Sequence, residues 1–121
     1  MEPMDCLIIY VPTDSADAVR RAIGDAGAGR LGNYSHCSFS TEGTGRFTPL
    51  PGANPTIGAV NAPEEVPETR IEAIYPRSLR AAVVSAAVGA HPYETPAFMT
   101  FPIDVSLPAD PADFPAPARL G

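Results

Sequence analysis

The run Gly27-Ala-Gly-Arg-Leu-Gly-Asn-Tyr-Ser-His-Cys-Ser-Phe39 carries three glycines at the spacing of a dinucleotide-binding fingerprint. A true fingerprint follows a strand and opens a helix, because the phosphates bind the free N–H groups of the helix N-terminus. Here the order is reversed: the residues before Gly27 have the pattern of a helix, and those after Gly32 have the pattern of a strand. The run is therefore interpreted as a helix stop followed by a turn into a sheet, and no nucleotide is placed on its glycines.

The residues that flank this run predict a strand, a helix and a second strand. Residues 5–11 form a short apolar, partly β-branched stretch closed by Pro12, which is typical of a buried strand. A helix follows, with its cap within residues 13–15 and its stop at Gly27. The apolar face of this helix consists of Ala16, Val19, Ile23 and Ala26. A second strand is predicted over residues 34–41.

The second half of the chain predicts a strand, a helix and a last strand. Alternation of apolar and charged residues predicts a strand over residues 68–75. A wide apolar stripe predicts a helix over residues 77–88, which Gly89 terminates. The last strand is predicted over residues 97–105. Pro102 places it at a sheet edge or in a bulge, because proline cannot donate to a sheet ladder.

The order strand, helix, strand, strand, helix, strand is the split pattern of a ferredoxin-like domain. The predicted fold class is α+β, with two helices on one face of an antiparallel sheet. The other face carries apolar residues, and such a face is usually covered by oligomerisation. The domain is assigned to residues 1–105, and the Pro- and Ala-rich residues 106–121 are predicted to be a disordered tail.

Composition excludes several classes of function. The chain has 121 residues and a net charge of −6, from fourteen acidic and eight basic residues, so a nucleic-acid partner is not expected. No apolar run approaches the length of a membrane span, and the acidic N-terminus does not resemble a signal peptide. A cytoplasmic protein with two reduced cysteines is expected.

The turn Ala90-His-Pro-Tyr-Glu-Thr-Pro96 is a candidate for chemistry, because two prolines hold an imidazole and a carboxylate close together. One interpretation is structural: His91 and Glu94 satisfy backbone groups in a tight turn. The alternative is a divalent metal site that Cys37, His91 and Glu94 form together, with ligands suited to zinc or a similar ion. In a third interpretation Cys37 is a nucleophile, with His91 as its base and Glu94 as the group that orients the base.

Several spaced segments together resemble a known family. The residues that carry this resemblance are 26–29, 32–34, 37–39, Gly43-Thr-Gly-Arg-Phe47, Pro49, Gly52-Ala-Asn-Pro55, Gly58, Arg70-Ile-Glu72 and His91-Pro-Tyr-Glu94. In this combination they resemble the domain inserted in many bacterial YqfO-type proteins of the Nif-three-like family, which are dinuclear-metal hexamers. The resemblance covers roughly residues 5–105.

In that family the inserted domain is similar to the CutA and PII proteins, which are ferredoxin-like and trimeric. By this resemblance residues 43–67 are the candidate regulatory loop, with Arg46, Phe47 and Asn54 as ligand-binding residues. The dinuclear metal site of the family is built by the two domains that flank the insert, and neither is found in this sequence. The chain is therefore interpreted as a free-standing insert, and the hydrolase activity suggested for the family is not transferred to it.

The leading hypothesis is a non-enzymatic, homotrimeric CutA/PII-like module that senses a small-molecule ligand or binds a protein partner. The alternatives are a metal-binding protein that uses Cys37, His91 and Glu94, and a small hydrolase-type enzyme with Cys37 as its nucleophile. A membrane or nucleic-acid partner is not expected.

Overall fold

The computed structural model describes residues 2–105. Four strands and two helices follow one another in the order β1 Met4–Pro12, α1 Ala16–Asp25, β2 Phe39–Phe47, β3 Glu64–Pro76, α2 Arg80–Ala90 and β4 Ala97–Ile103. Single 3-10 turns, Thr13–Ser15 and Arg77–Leu79, precede the two helices. The strands form one sheet in the order β2-β3-β1-β4, in which every neighbouring pair is antiparallel. The predicted ferredoxin-like fold is confirmed.

The hydrophobic core lies between the sheet and the two helices. Side chains alternate across a strand, so every second residue of the two central strands points toward the helices. Both helices contribute apolar side chains to the same layer. The largest members of this core are Leu7, Ile9, Val11, Val19, Ile23, Ile71, Tyr75 and Val83, all at most 1% exposed.

The glycine run is a helix stop and a turn, as the sequence predicts. After α1 the chain reverses at Gly27 and Gly29, whose φ values are +109° and +82°. The N–H of Gly29 donates to the carbonyl of Ile74 in β3 at 2.7 Å, and the N–H of Cys37 donates to Gly29 O at 3.0 Å. The turn is thereby fastened to the sheet, and no helix N-terminus is available for a phosphate among these residues.

The predicted bounds of the second strand are wrong. Residues 34–38 lie in a loop, in which His36 has a φ of +61°, and β2 extends instead from Phe39 to Phe47. Gly43 and Gly45 have low strand propensity, so their segment does not look like a strand in the sequence. Pairing with β3 nevertheless holds this segment in the sheet.

The other elements differ less from their predicted bounds. β3 is longer than predicted because it pairs with the whole of β2, which leaves residues 48–63 as the connecting loop. The second helix continues past Gly89 and ends at Ala90. β4 is an edge strand, as Pro102 predicts, and ends at Ile103. The predicted tail, residues 106–121, lies outside the described residues.

The second face of the sheet carries several apolar side chains beside the ion pair of Arg70 with Glu72, and no described helix covers it. The strand register aligns Phe39, Glu72, Ile8 and Met99 in one row across the four strands. Cys6 pairs with Phe101 in the next row. Phe39 is 67% exposed and Met99 is 47% exposed. We refer to this surface as the open face.

Neither helix in the described part of the chain is long and apolar enough to cross a membrane.

Candidate functional site

Two segments distant in the sequence meet at one end of the sheet. They are the connecting loop, residues 48–63, and the turn of residues 91–96 that leads into β4. The backbone N–H of Asn54 donates to Glu94 Oε1 at 2.9 Å. The hydroxyl of Thr56 donates to the carbonyl of Pro92 at 2.8 Å. These two hydrogen bonds hold the loop against the turn.

Tyr93 is the centre of the turn. Its ring packs edge-on against Phe47, with 5.7 Å between centroids, and at a tilt against His91, with 5.0 Å between centroids. Its hydroxyl donates to Glu68 Oε2 at 3.2 Å. Burial, together with the negative charges of Glu68 and Glu64, raises the pKa of Tyr93 to about 12. The phenol therefore stays a hydrogen-bond donor at neutral pH.

His91 has the structural role that the sequence left as one alternative. The side chain is buried, and its Nε2 lies 2.7 Å from the carbonyl oxygen of Tyr10 at the end of β1. Nδ1 accepts the N–H of Tyr93 at 3.1 Å. Because a carbonyl only accepts, the proton is assigned to Nε2. Both ring nitrogens are thus used to attach the turn to the sheet.

A pocket of about 470 Å³ opens between the loop and the turn. Its walls are mainly apolar, with Phe47 at the end of β2, Leu50 and Ile57 from the loop, and Tyr93 from the turn. Glu94 is the charged residue in the lining among the described residues. An apolar concave site with a few polar groups is the usual form of a small-molecule site.

The predicted ligand-binding residues have different environments. Phe47 lines the pocket. Asn54 takes part through its backbone N–H, which binds Glu94. Arg46 lies in β2 and pairs across the strands with Glu65, its Nε 3.1 Å from Glu65 Oε1, and it is not among the lining residues. Both partners of this ion pair are mostly exposed, so the pair contributes little to stability.

Within one chain the structure does not bring Cys37 to His91 and Glu94. The N–H of Cys37 donates to the carbonyl of Gly29, and the N–H of Gly29 donates to the carbonyl of Ile74. Ile74 is paired with Cys6 of β1, so Cys37 lies near Cys6. His91 binds Tyr10, four residues further along β1. Among residues 2–105, no group of three or more His, Cys, Asp or Glu side chains is placed to hold a metal ion.

Among residues 2–105, the thiol of Cys37 makes no hydrogen bond to a basic side chain. The thiol lies 4.0 Å from the carbonyl oxygen of Ser35. The adjacent His36 is engaged elsewhere, with Nε2 2.8 Å from Asp25 Oδ1 and Nδ1 2.9 Å from Ser35 Oγ. An activated thiol needs a base within hydrogen-bond reach, and His91 is held at Tyr10.

Sequence reasoning missed Tyr93, Thr56 and Glu68 as site residues. Tyr93 stands between His91 and Glu94, two predicted site residues, so its position in the turn is a signal that the sequence does contain. Nothing local marks Thr56 or Glu68, because each acts through a contact more than twenty residues away.

Comparison with known proteins connects this geometry to a family. The chain is 50% identical over 107 residues to a protein of Mycobacterium leprae and 47% identical over 103 residues to one of Bacillus subtilis, each named "GTP cyclohydrolase 1 type 2 homolog". These alignments cover 88% and 85% of the chain. A Bacillus cereus protein described as related to NIF3 superposes with a TM-score of 0.75 at 48% identity, over 86% of the chain and 26% of its own. The predicted relationship to the Nif-three-like family is confirmed.

The Nif-three-like chain spans about a quarter of the length of these relatives, 28% of each of the two curated proteins. No protein-family model matches the sequence. Two more distant structures share its fold. The CutA protein of Archaeoglobus fulgidus superposes with a TM-score of 0.62 at 16% identity, over 86% of this chain and 87% of its own. The GlnK protein of Bacillus subtilis, in complex with ATP, superposes with a TM-score of 0.58 at 10% identity, over 85% of this chain and 84% of its own.

Proposed function

We propose that this protein is a non-enzymatic, homotrimeric module that senses a small-molecule ligand, and that the ligand binds in the pocket between the loop and the turn. The observation that carries the proposal is the fastening of the loop over the pocket, through Asn54 to Glu94 and through Thr56 to Pro92. A ligand that contacts Tyr93 and the loop together would stabilise the loop in this position. Ligand binding would thereby be converted into a change in the loop that a partner can recognise.

The open face supports the proposed assembly. Cys6 and Ile8 at the sheet centre continue into the exposed Phe101 and Met99 of β4. On the other side the ion pair of Arg70 with Glu72 separates them from the exposed Phe39. Monomeric proteins rarely leave a contiguous apolar surface of this kind in water. Further copies of the chain would cover it, as the resemblance to trimeric proteins implies. Phe47 and Glu68 lie on the same face of the sheet as Phe39 and Glu72, so the pocket would adjoin the contact between copies.

The activity in the relatives' names is not part of this proposal. Those names belong to proteins about four times as long as this chain, and the chain covers 28% of each. The described residues supply no cluster of metal ligands, and the thiol of Cys37 has no hydrogen bond to His91, which is bound to Tyr10. A binding function needs only the pocket and the loop.

Titration with a neutral aromatic probe tests the pocket. We expect 2-phenylethanol at millimolar concentration to shift the amide NMR signals of Ile57, Tyr93 and Glu94 in ¹⁵N-labelled protein. Ala53 lines the pocket, so Ala53→Phe fills it and should abolish the shifts. Ala82→Phe places the same ring on an exposed position of α2 and should leave them unchanged. Shifts that persist in Ala53→Phe, or that are absent in the unmodified chain, would show that this pocket is not a ligand site.

A further inference from the structure

Several carboxylate side chains lie in or beside the lining of the pocket. Glu94 lies in its lining, and Glu68 is bound to the hydroxyl of Tyr93, another lining residue. Glu64 lies beside the loop at Gly58, where an added Cβ would be 3.3 Å from Glu64 Oε2. Three carboxylates therefore come from two parts of the chain, Glu64 and Glu68 from the first half of β3 and Glu94 from the turn.

Few basic residues occur in the segments that form the pocket. The chain contains no lysine, and Arg46 is the one arginine between Arg30 and Arg70. Its guanidinium is already paired with Glu65 at 3.1 Å. No Lys, Arg or His is among the described residues that line the pocket. Phosphate sites in proteins rely on arginine, lysine or several free backbone N–H groups, and this lining offers none of the first two.

The raised pKa of Tyr93 is consistent with the negative charge around the pocket. Its pKa is raised by burial and by the charges of Glu68 and Glu64, which means that a negative charge on the wall of the pocket is unfavourable. The same carboxylates would repel a negatively charged ligand and attract a positively charged one.

We propose that the pocket selects a small organic cation with an apolar body, an aryl or alkyl amine, and excludes nucleoside phosphates and other anions. This inference rests on the proposed function of the pocket as a ligand site. The ammonium group binds the carboxylate of Glu94, and the apolar body lies between Phe47, Leu50 and Ile57. Glu94 Oε1 holds the N–H of Asn54, and a carboxylate has lone pairs for a second donor at Oε2.

The placement of Glu94 also connects ligand and loop. The carboxylate that contacts the ammonium is the one that holds the N–H of Asn54 in the loop. Binding of the cation therefore fixes the position of the Glu94 carboxylate, which accepts the hydrogen bond from the loop at Asn54. An anion in the same pocket would face Glu94 directly and would favour release of the loop.

Three probes of matched shape test the preference for a cation. They are 2-phenylethylamine, 2-phenylethanol and 3-phenylpropanoate, titrated at pH 7 in 20 mM NaCl with the NMR signals of Ile57, Tyr93 and Glu94 as readout. The amine is protonated at this pH, since aliphatic amines have a pKa of about 10. We expect it to bind about fivefold more tightly than the alcohol, because a partly exposed ion pair contributes up to about a factor of five. The propanoate is expected to bind more weakly than the alcohol. In 0.5 M NaCl the preference for the amine should shrink.

Two variants identify the residue responsible. Glu94→Gln keeps an amide oxygen for the N–H of Asn54 but removes the charge that contacts the ammonium, so the preference for the amine should fall to the small part that Glu64 and Glu68 supply. Glu65→Gln removes an equal charge from an exposed position outside the lining and should keep the preference. A preference that is undiminished in Glu94→Gln would overturn the assignment.

The possible failures are distinguishable. If amine and alcohol bind the unmodified protein equally, the cation preference is wrong while the pocket remains a ligand site. If the propanoate binds more tightly than the amine, the proposed ligand class is wrong. If none of the three probes shifts the pocket signals, both this inference and the proposed function fail.

Discussion

At the scale of single residues, Tyr93 decides how the turn and the sheet are connected. Its hydroxyl binds Glu68 of β3, while its backbone N–H binds His91, which in turn binds Tyr10 of β1. Gly45 makes room for this arrangement, because a Cβ at that position would overlap the carboxylate of Glu68. A small residue in β2 thus allows a charged side chain to reach the turn.

Substitution of Tyr93 by phenylalanine tests this hydrogen bond. We expect Tyr93→Phe to lower the free energy of unfolding at pH 7 by about 1 kcal/mol, because it leaves Glu68 without its phenol donor.

The raised pKa of Tyr93 adds a pH dependence to the free energy of unfolding. A pKa that is higher in the folded than in the unfolded chain gives stability that is complete below pH 10 and is lost as the pH rises toward about 12. Urea unfolding from pH 7 to 11 should show a smaller decline in Tyr93→Phe than in Tyr34→Phe, whose ring is exposed. Equal declines would contradict the assigned shift.

At the scale of elements, the turn after α1 depends on the absence of a side chain at Gly29. Its φ is +82°, and an added Cβ would collide with the backbone of Cys37. Gly32 also has a positive φ, of +56°, but nothing lies within 4 Å of an added Cβ. Gly32→Ala should therefore cost about 1 kcal/mol for the backbone conformation alone. Gly29→Ala should cost at least about 2 kcal/mol more, because backbone must move. Urea denaturation of both variants measures the difference, and equal costs would show that the turn relaxes freely.

The elements also show what the sequence could predict. Local periodicity was enough for β1, both helices and the edge position of β4, because each has an apolar face or a proline of its own. β2 was misplaced because Gly43 and Gly45 hide a segment that only its pairing with β3 holds in the sheet. For a similar reason, the sequence predicts only part of the site. It indicates both segments, but the contact of Asn54 with Glu94 spans forty residues and has no local signal.

At the scale of the whole molecule, the open face predicts the state of assembly. Phe101 lies on this face, paired with Cys6, and is 39% exposed, while Val88 on α2 is equally exposed on the opposite side. We expect the unmodified chain to sediment as a trimer. Phe101→Glu should sediment as a single chain, because burial of an unpaired carboxylate at the contact costs several kcal/mol. Val88→Glu should remain trimeric, and the far-ultraviolet circular dichroism of both variants should match the unmodified protein. A monomeric unmodified chain, or a trimer that Phe101→Glu leaves intact, would show that the open face is not the contact between copies.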